Sequence, residues 1–150
     1  MPDQFVKTDS TIADLIPHAG SMVLLDEIIA HDTSSIHCRA RFRPNDQHPL
    51  AIAARLPATA LAEYGAQAMA VHGGLLEPVG TPPRPGRLVA LGQLDIDIDE
   101  LTEDTVLEVH ATRSSGDRAG QIYHFSVHDQ QRQLASGQAT VMFVDHPESS

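Results

Sequence analysis

Two residues able to move protons lie near the middle of the chain: His48 and Glu63, followed by Gln67. All three fall in the segment QHPLAIAARLPATALAEYGAQAMA, residues 47–70. A histidine and a carboxylate near neutral pH are the usual pair for proton transfer to and from a substrate. Glu63 and Gln67 stand at a helical i, i+4 spacing and share one face. Their neighbours are nearly all small or apolar, so the carboxylate needs a partner or a chemical task there. His48, in the loop ahead, is the candidate partner. The plain alternative is a structural carboxylate bonded to backbone or to Gln67.

These residues must be held by a helix. The small and apolar run around Glu63 reads as a buried one. Pro57 suits its first position, because the missing N–H has no intrahelical acceptor there anyway. His72-Gly73-Gly74 suits its end, which gives a helix over about 57–72. Ahead of it, residues 1–9 read as a polar tail. Asp9 or Ser10 can cap a short helix, Thr11–Ile16, that ends before Pro17. Residues 22–32 read as a strand. Residues 34–43 read as a cleaner one, because Ile36, Cys38, Ala40 and Phe42 alternate with His37, Arg39, Arg41 and Arg43. Asp32-Thr33-Ser34 suits the turn between them. Residues 75–86 hold Pro78, Pro82, Pro83 and Pro85 and read as a stiff loop. Strands are expected over 87–98, 105–113, 121–129 and 133–144, with turn chemistry between them and a polar tail over 145–150. The expectation is one α+β domain spanning 1–150. About six antiparallel strands wrap one long central helix, whose Ala58, Ala60, Ala62, Gly65, Ala66, Ala68 and Ala70 allow close approach. That architecture is the hotdog.

The bulk composition narrows the function. A chain of 150 residues suits one domain with a sizeable core. It has no tryptophan and few aromatics, so Ala, Val, Leu and Ile must build that core. The single cysteine, Cys38, excludes an intrachain disulfide and fits a reducing cytoplasm. On the apolar side of its strand it reads as an inert core thiol. The start, MPDQFVKTDS, does not read as a signal peptide, and no apolar run approaches the ~18 residues of a membrane helix. The net charge of −10 argues against nucleic acid. His124 and His128 have metal-like spacing only on a helix. On a strand they stand roughly 13 Å apart, so neither metal nor cofactor is expected. A serine-hydrolase elbow, Gly-Xaa-Ser-Xaa-Gly, does not occur. Arg39, Arg41 and Arg43 share a strand face with His37. Together with Arg84 and Arg87 they are the candidate docking patch for an acidic partner. An ordinary solvated strand face is the alternative.

Several motifs resemble a known family. LIPHAGSMVLLDEIIAHD, residues 15–32, is similar to the opening of the β-hydroxyacyl-acyl-carrier-protein dehydratases of fatty-acid synthesis. In that family a Gly-His-Phe-Pro loop precedes a helix that opens Met-Pro-Gly and runs on to Glu and Ala-Gln-Ala. Leu56-Pro57-Ala58 stands where Met-Pro-Gly would, and Glu63-Tyr64-Gly65-Ala66-Gln67-Ala68 where the Glu and Ala-Gln-Ala run would. The likeness is closer to a divergent branch of small dehydratase-like hotdog proteins from aryl-polyene and related polyketide clusters. It covers about residues 10–143. The chain departs from the pattern at the loop, reduced to Gln47-His48-Pro49-Leu50, at Ala58, and at Ala19 and Ser21.

The resemblance implies removal of water from a 3-hydroxyacyl thioester on acyl-carrier protein or coenzyme A. His48 would take the C2 proton, and Glu63 would protonate the departing hydroxyl. Burial would raise a carboxyl pKa in the direction such an acid needs. Backbone amides near Ala58 and Thr59, at the positive end of the helix, would bind the charge developing on the thioester oxygen. Gln67 would hold Glu63 or the substrate. The histidine and the acid of this family meet across a dimer interface, which implies a homodimer or a heterodimer with a second hotdog subunit. His18 and Asp26 read as structural. Two alternatives remain: an acyl thioesterase using Glu63 on the same fold, and a non-catalytic partner subunit that completes another chain's site.

Overall fold

The computed structural model describes residues 23–44, 48–76, 86–116 and 120–143. The expected short helix over 11–16, the greater part of the proline loop and both polar tails lie outside the described residues.

Eight strands and one α-helix are described: β1 (Glu27–His31), β2 (Ser35–Phe42), β3 (Leu56–Pro57), α1 (Leu61–Leu76), β4 (Gly86–Ile96), β5 (Glu100–Leu101), β6 (Thr105–Gly116), β7 (Gly120–His128) and β8 (Gln133–Phe143). Six of the strands form one antiparallel sheet in the order β1-β2-β6-β7-β8-β4. The helix packs across β2, β6, β7 and β8. This is the hotdog arrangement expected from the element order.

The period of two in β2 does what it must on a half-buried strand. Ile36, Cys38, Ala40 and Phe42 point into the core, where Cys38 and Ala40 pair with Val109 and Leu107 of β6. The β1–β2 turn is closed by Asp32, whose Oδ1 accepts the N–H groups of Ser34 and Ser35, both at 2.8 Å. Asp129 closes the β7–β8 turn likewise, accepting from Gln131 and Arg132. Short acidic side chains that capture the backbone two and three residues on are the chemistry of tight turns.

The helix differs from its expected bounds at both ends. A single 3₁₀ turn, Ala58–Ala60, precedes it, and Pro57 is the extended residue before that turn (φ −59°, ψ 141°) rather than its first helical position. Pro57 pairs in register with Glu100 in the two-residue β3–β5 ladder, a local tie that alternation cannot reveal. At the other end, α1 runs through Gly73 and Gly74 to Leu76. Gly74 and Leu75 are buried there. Packing against the sheet outweighs the roughly 1 kcal/mol that glycine costs in a helix interior. Gly65 explains how close the layers come: a Cβ at this position would overlap the Phe125 ring of β7. The same ring lies against Gly137, its register partner on β8.

The expected strand over 22–32 is ordered as β1 only from Glu27. Residues 23–26 are irregular, with Leu24 and Leu25 buried. Strands β4, β6, β7 and β8 fall within a few residues of their expected bounds. Among the described residues, no helix is long and apolar enough to cross a membrane.

Candidate active site

His48 sits in the loop after β2, and Glu63 in the first turn of α1. Within the chain His48 hydrogen-bonds to Tyr64 rather than to Glu63. Its Nε2 lies 3.0 Å from the Tyr64 hydroxyl, and its Nδ1 accepts the Leu50 N–H at 3.1 Å. The Phe42 ring of β2 meets the imidazole edge-on at 5.5 Å. An amide N–H only donates, so Nδ1 carries the lone pair, Nε2 carries the hydrogen, and the Tyr64 oxygen accepts it. Burial lowers the His48 pKa, which keeps the ring neutral. Tyr64 is 1% exposed, and its pKa is raised first by burial and then by the nearby charge of Asp26. Sequence reasoning missed this phenol. The signal was a lone tyrosine among small residues, whose hydroxyl must find a partner once buried.

Glu63 is half-buried, and Gln67 is fully buried. Gln67 works in two directions. Its Oε1 accepts the Leu24 N–H at 2.9 Å, and its Nε2 donates to Glu63 Oε2 at 3.4 Å. The shared face of α1 thus fastens the segment leading into β1 and aims the carboxylate with one side chain. Asp26 is structural as expected. Its Oδ2 accepts the Arg41 N–H at 2.7 Å, and its own N–H donates to the Arg39 carbonyl.

Of the two backbone amides expected to face a substrate oxygen, the one at Ala58 is engaged: its N–H donates to the Asp99 carbonyl at 3.0 Å. The reason is the β3–β5 ladder, which brings Asp99 against the helix start. Thr59, exposed in the 3₁₀ turn, stands where N–H groups have no intrahelical acceptor. Between His48 and this turn, Ala53 (φ 54°) and Ala54 (φ 62°) form a left-handed two-residue turn closed by paired bonds between Ile52 and Arg55. Alanine in this conformation is strained. Surrounding ties hold the turn, among them the Arg55–Glu100 ion pair at 3.3 Å.

The arginine stripe forms as read, but its charge is balanced at short range. Arg39 Nε lies 2.8 Å from Glu108, with Glu27 at 3.6 Å, and Arg41 Nε lies 2.7 Å from Asp104. His37 Nε2 adds a 2.6 Å contact to Glu108 and stacks on His110 at 4.2 Å. An opposed carboxylate at each of these two arginines makes this a solvated strand face more than a basic patch. Arg43 is exposed at its end. Arg84 lies outside the described residues, and Arg87 belongs to β4. Cys38 is fully buried, and burial pushes its thiol up to about 12, so it is inert. Among the described residues, no group of three or more His, Cys, Asp or Glu side chains could hold a metal ion.

Known proteins share this fold. No curated protein matches the chain in sequence. The dehydratase heterocomplex ApeI:P from Xenorhabdus doucetiae superposes with a TM-score of 0.80 at 18% identity, covering 93% of this chain and 95% of that one. A hypothetical thioesterase from Streptococcus pneumoniae, solved with coenzyme A, superposes at 0.61 with 12% identity over 80% and 86% of the two chains. The PaaI protein of E. coli superposes at 0.57 with 13% identity over 77% and 81%. These likenesses show the hotdog fold. The model of the ApeP-like family, ApeP dehydratase, matches residues 10–150, nearly the whole chain, and the chain therefore belongs to the ApeP-like family of dehydratases.

Proposed function

We propose that this dehydratase removes water from a (3R)-3-hydroxyacyl thioester delivered on acyl-carrier protein or coenzyme A, in a fatty-acid, polyketide or aryl-polyene type of biosynthesis. The observation that carries the reading is Glu63. A carboxylate on a helix of small and apolar residues is held at one oxygen by a buried amide, in the first turn of α1. In this reading His48 takes the C2 proton, the C2–H electrons form the C2=C3 bond, and the C3 oxygen leaves as water with the proton of Glu63. The Thr59 amide, with the positive end of the helix behind it, stabilises the charge developing on the thioester oxygen.

The bonding of His48 to Tyr64 supports a site completed between two chains, the His48 of one subunit meeting the Glu63 of another. The Xenorhabdus neighbour is a heterocomplex, and this supports a second hotdog subunit as partner, with a homodimer as the simpler form. A second reading follows from the same bond. With both nitrogens of His48 engaged inside its own chain, the chain would serve as the subunit that contributes Glu63 to a partner's site. The assay is purified protein with a 3-hydroxyacyl thioester, reading enoyl absorbance and free thiol together. Enoyl product without thiol release is expected. Thiol release alone would make the chain a thioesterase. Silence until a second hotdog chain is added would establish the partner-subunit reading.

A further inference from the structure

The buried phenol of Tyr64 is a titratable group that the reaction above leaves unused. Its oxygen accepts the Nε2–H of His48, while the Leu50 amide occupies Nδ1. Among the described residues, the rings against the imidazole are Tyr64 from α1 and the apolar Phe42 from β2. The Asp26 carboxylate acts on Tyr64 from the segment leading into β1.

We propose that Tyr64 is a positioning residue that fixes His48 through Nε2 and leaves Nδ1 as the atom that takes the C2 proton. The proposal rests on His48 being the base of the reaction. A base held at one nitrogen by a third group presents the other to the substrate. As the thioester enters, the Leu50 N–H releases Nδ1. The C2–H bond breaks, its proton passes to Nδ1, and its electron pair becomes the new double bond as the C3–O bond breaks. The imidazolium keeps its Nε2–H on the Tyr64 oxygen, so the cation loses no hydrogen bond on forming. Glu63 and Tyr64 are adjacent in α1. In a site built between chains, one helical turn therefore orients the base of one site and supplies the acid of the other.

Nitrogen-15 NMR of the full chain and steady-state kinetics test this together. In the wild type, Nε2 of His48 is expected to be protonated and Nδ1 bare; the opposite tautomer would overturn the proposal. Tyr64→Phe is expected to lower the pKa of His48 further, by removing the acceptor that supports the cation, and to cut kcat by roughly 10- to 100-fold, a part of what a general base contributes. A merely structural tyrosine would leave the titration of His48 where it was, and that result would overturn the proposal. Should Tyr64→Phe fail to fold, Leu50→Pro removes the loop N–H, together with a side chain that packs against the core. It is expected to raise the His48 pKa by uncovering Nδ1, and an unmoved pKa would overturn the proposal. The expected tautomer and shifts in a protein that forms no enoyl product would uphold the positioning and reject the dehydratase role of His48.

Discussion

At the scale of single residues, two buried side chains set clear expectations. Gln67 is the acceptor for Leu24, so Gln67→Leu leaves a backbone N–H unpaired and is expected to cost about 1–3 kcal/mol of stability by chemical denaturation. The same substitution removes the amide that holds Glu63 Oε2 and is expected to slow turnover beyond the loss of folded protein. His72, fully buried, donates from Nε2 to the Asp32 carbonyl at 2.8 Å and accepts from the Tyr123 hydroxyl at Nδ1, 2.7 Å. Burial lowers its pKa most, only partly offset by the bond to Asp32. The unfolded chain therefore takes up this proton first as pH falls. Stability from neutral His72 is fully present above the unfolded value of about 6.5 and is lost as pH drops below it toward the folded value. Denaturation midpoints are expected to decline as pH falls below about 6.5, and His72→Gln is expected to flatten part of that slope. The sequence placed His72 at the helix end and offered no hint of this role, because its partners come from β7 and the β1–β2 turn.

At the scale of elements, the close fit of α1 to the sheet rests on one missing side chain. Gly65→Ala would force the Phe125 ring aside between α1 and Gly137. Overpacking of this kind costs about 1–3 kcal/mol, more than alanine returns in helix propensity. A midpoint shift to higher denaturant would contradict that account. The elements themselves were legible in the sequence where periodicity was strong. The alternation of β2 and the turn residue Asp32 gave bounds within about two residues. What periodicity could not carry was decided by tertiary contact. Gly73 and the buried Gly74 stayed helical because packing favoured it, and Pro57 stayed extended because it pairs with Glu100. The Ala58 amide bonds to Asp99 for the same reason, a contact between segments far apart in sequence.

At the scale of the molecule, the candidate site could be read by residue type but not by pairing. Glu63, Gln67 and His48 all lie around the start of α1, yet His48 turns to Tyr64. A pair made between subunits resolves this and yields a mixing experiment. Glu63→Gln and His48→Ala chains, each inactive alone, are expected to recover up to about a quarter of wild-type turnover when refolded together as a homodimer, by random assortment of subunits and pairing of the intact residues. No recovery, with mixed dimers shown to form, would place both residues within one chain's site or leave the site to a different partner. The net charge of −10 bears on the same scale. Arg39 and Arg41 are opposed by carboxylates, which leaves them little charge for docking an acidic carrier. Arg41→Glu is accordingly expected to lower stability more than carrier affinity, with affinity read by titration at two salt concentrations.

The central claim is that Glu63 and His48 together dehydrate a 3-hydroxyacyl thioester. The most direct measurement is the initial rate of enoyl formation by the wild type, Glu63→Gln and His48→Ala, each in its native assembly and with folding verified. Both substitutions are expected to reduce kcat by at least about 100-fold, the scale of a lost general acid or base, with no thiol released by any of the three. Enoyl formation that survives both substitutions would contradict it.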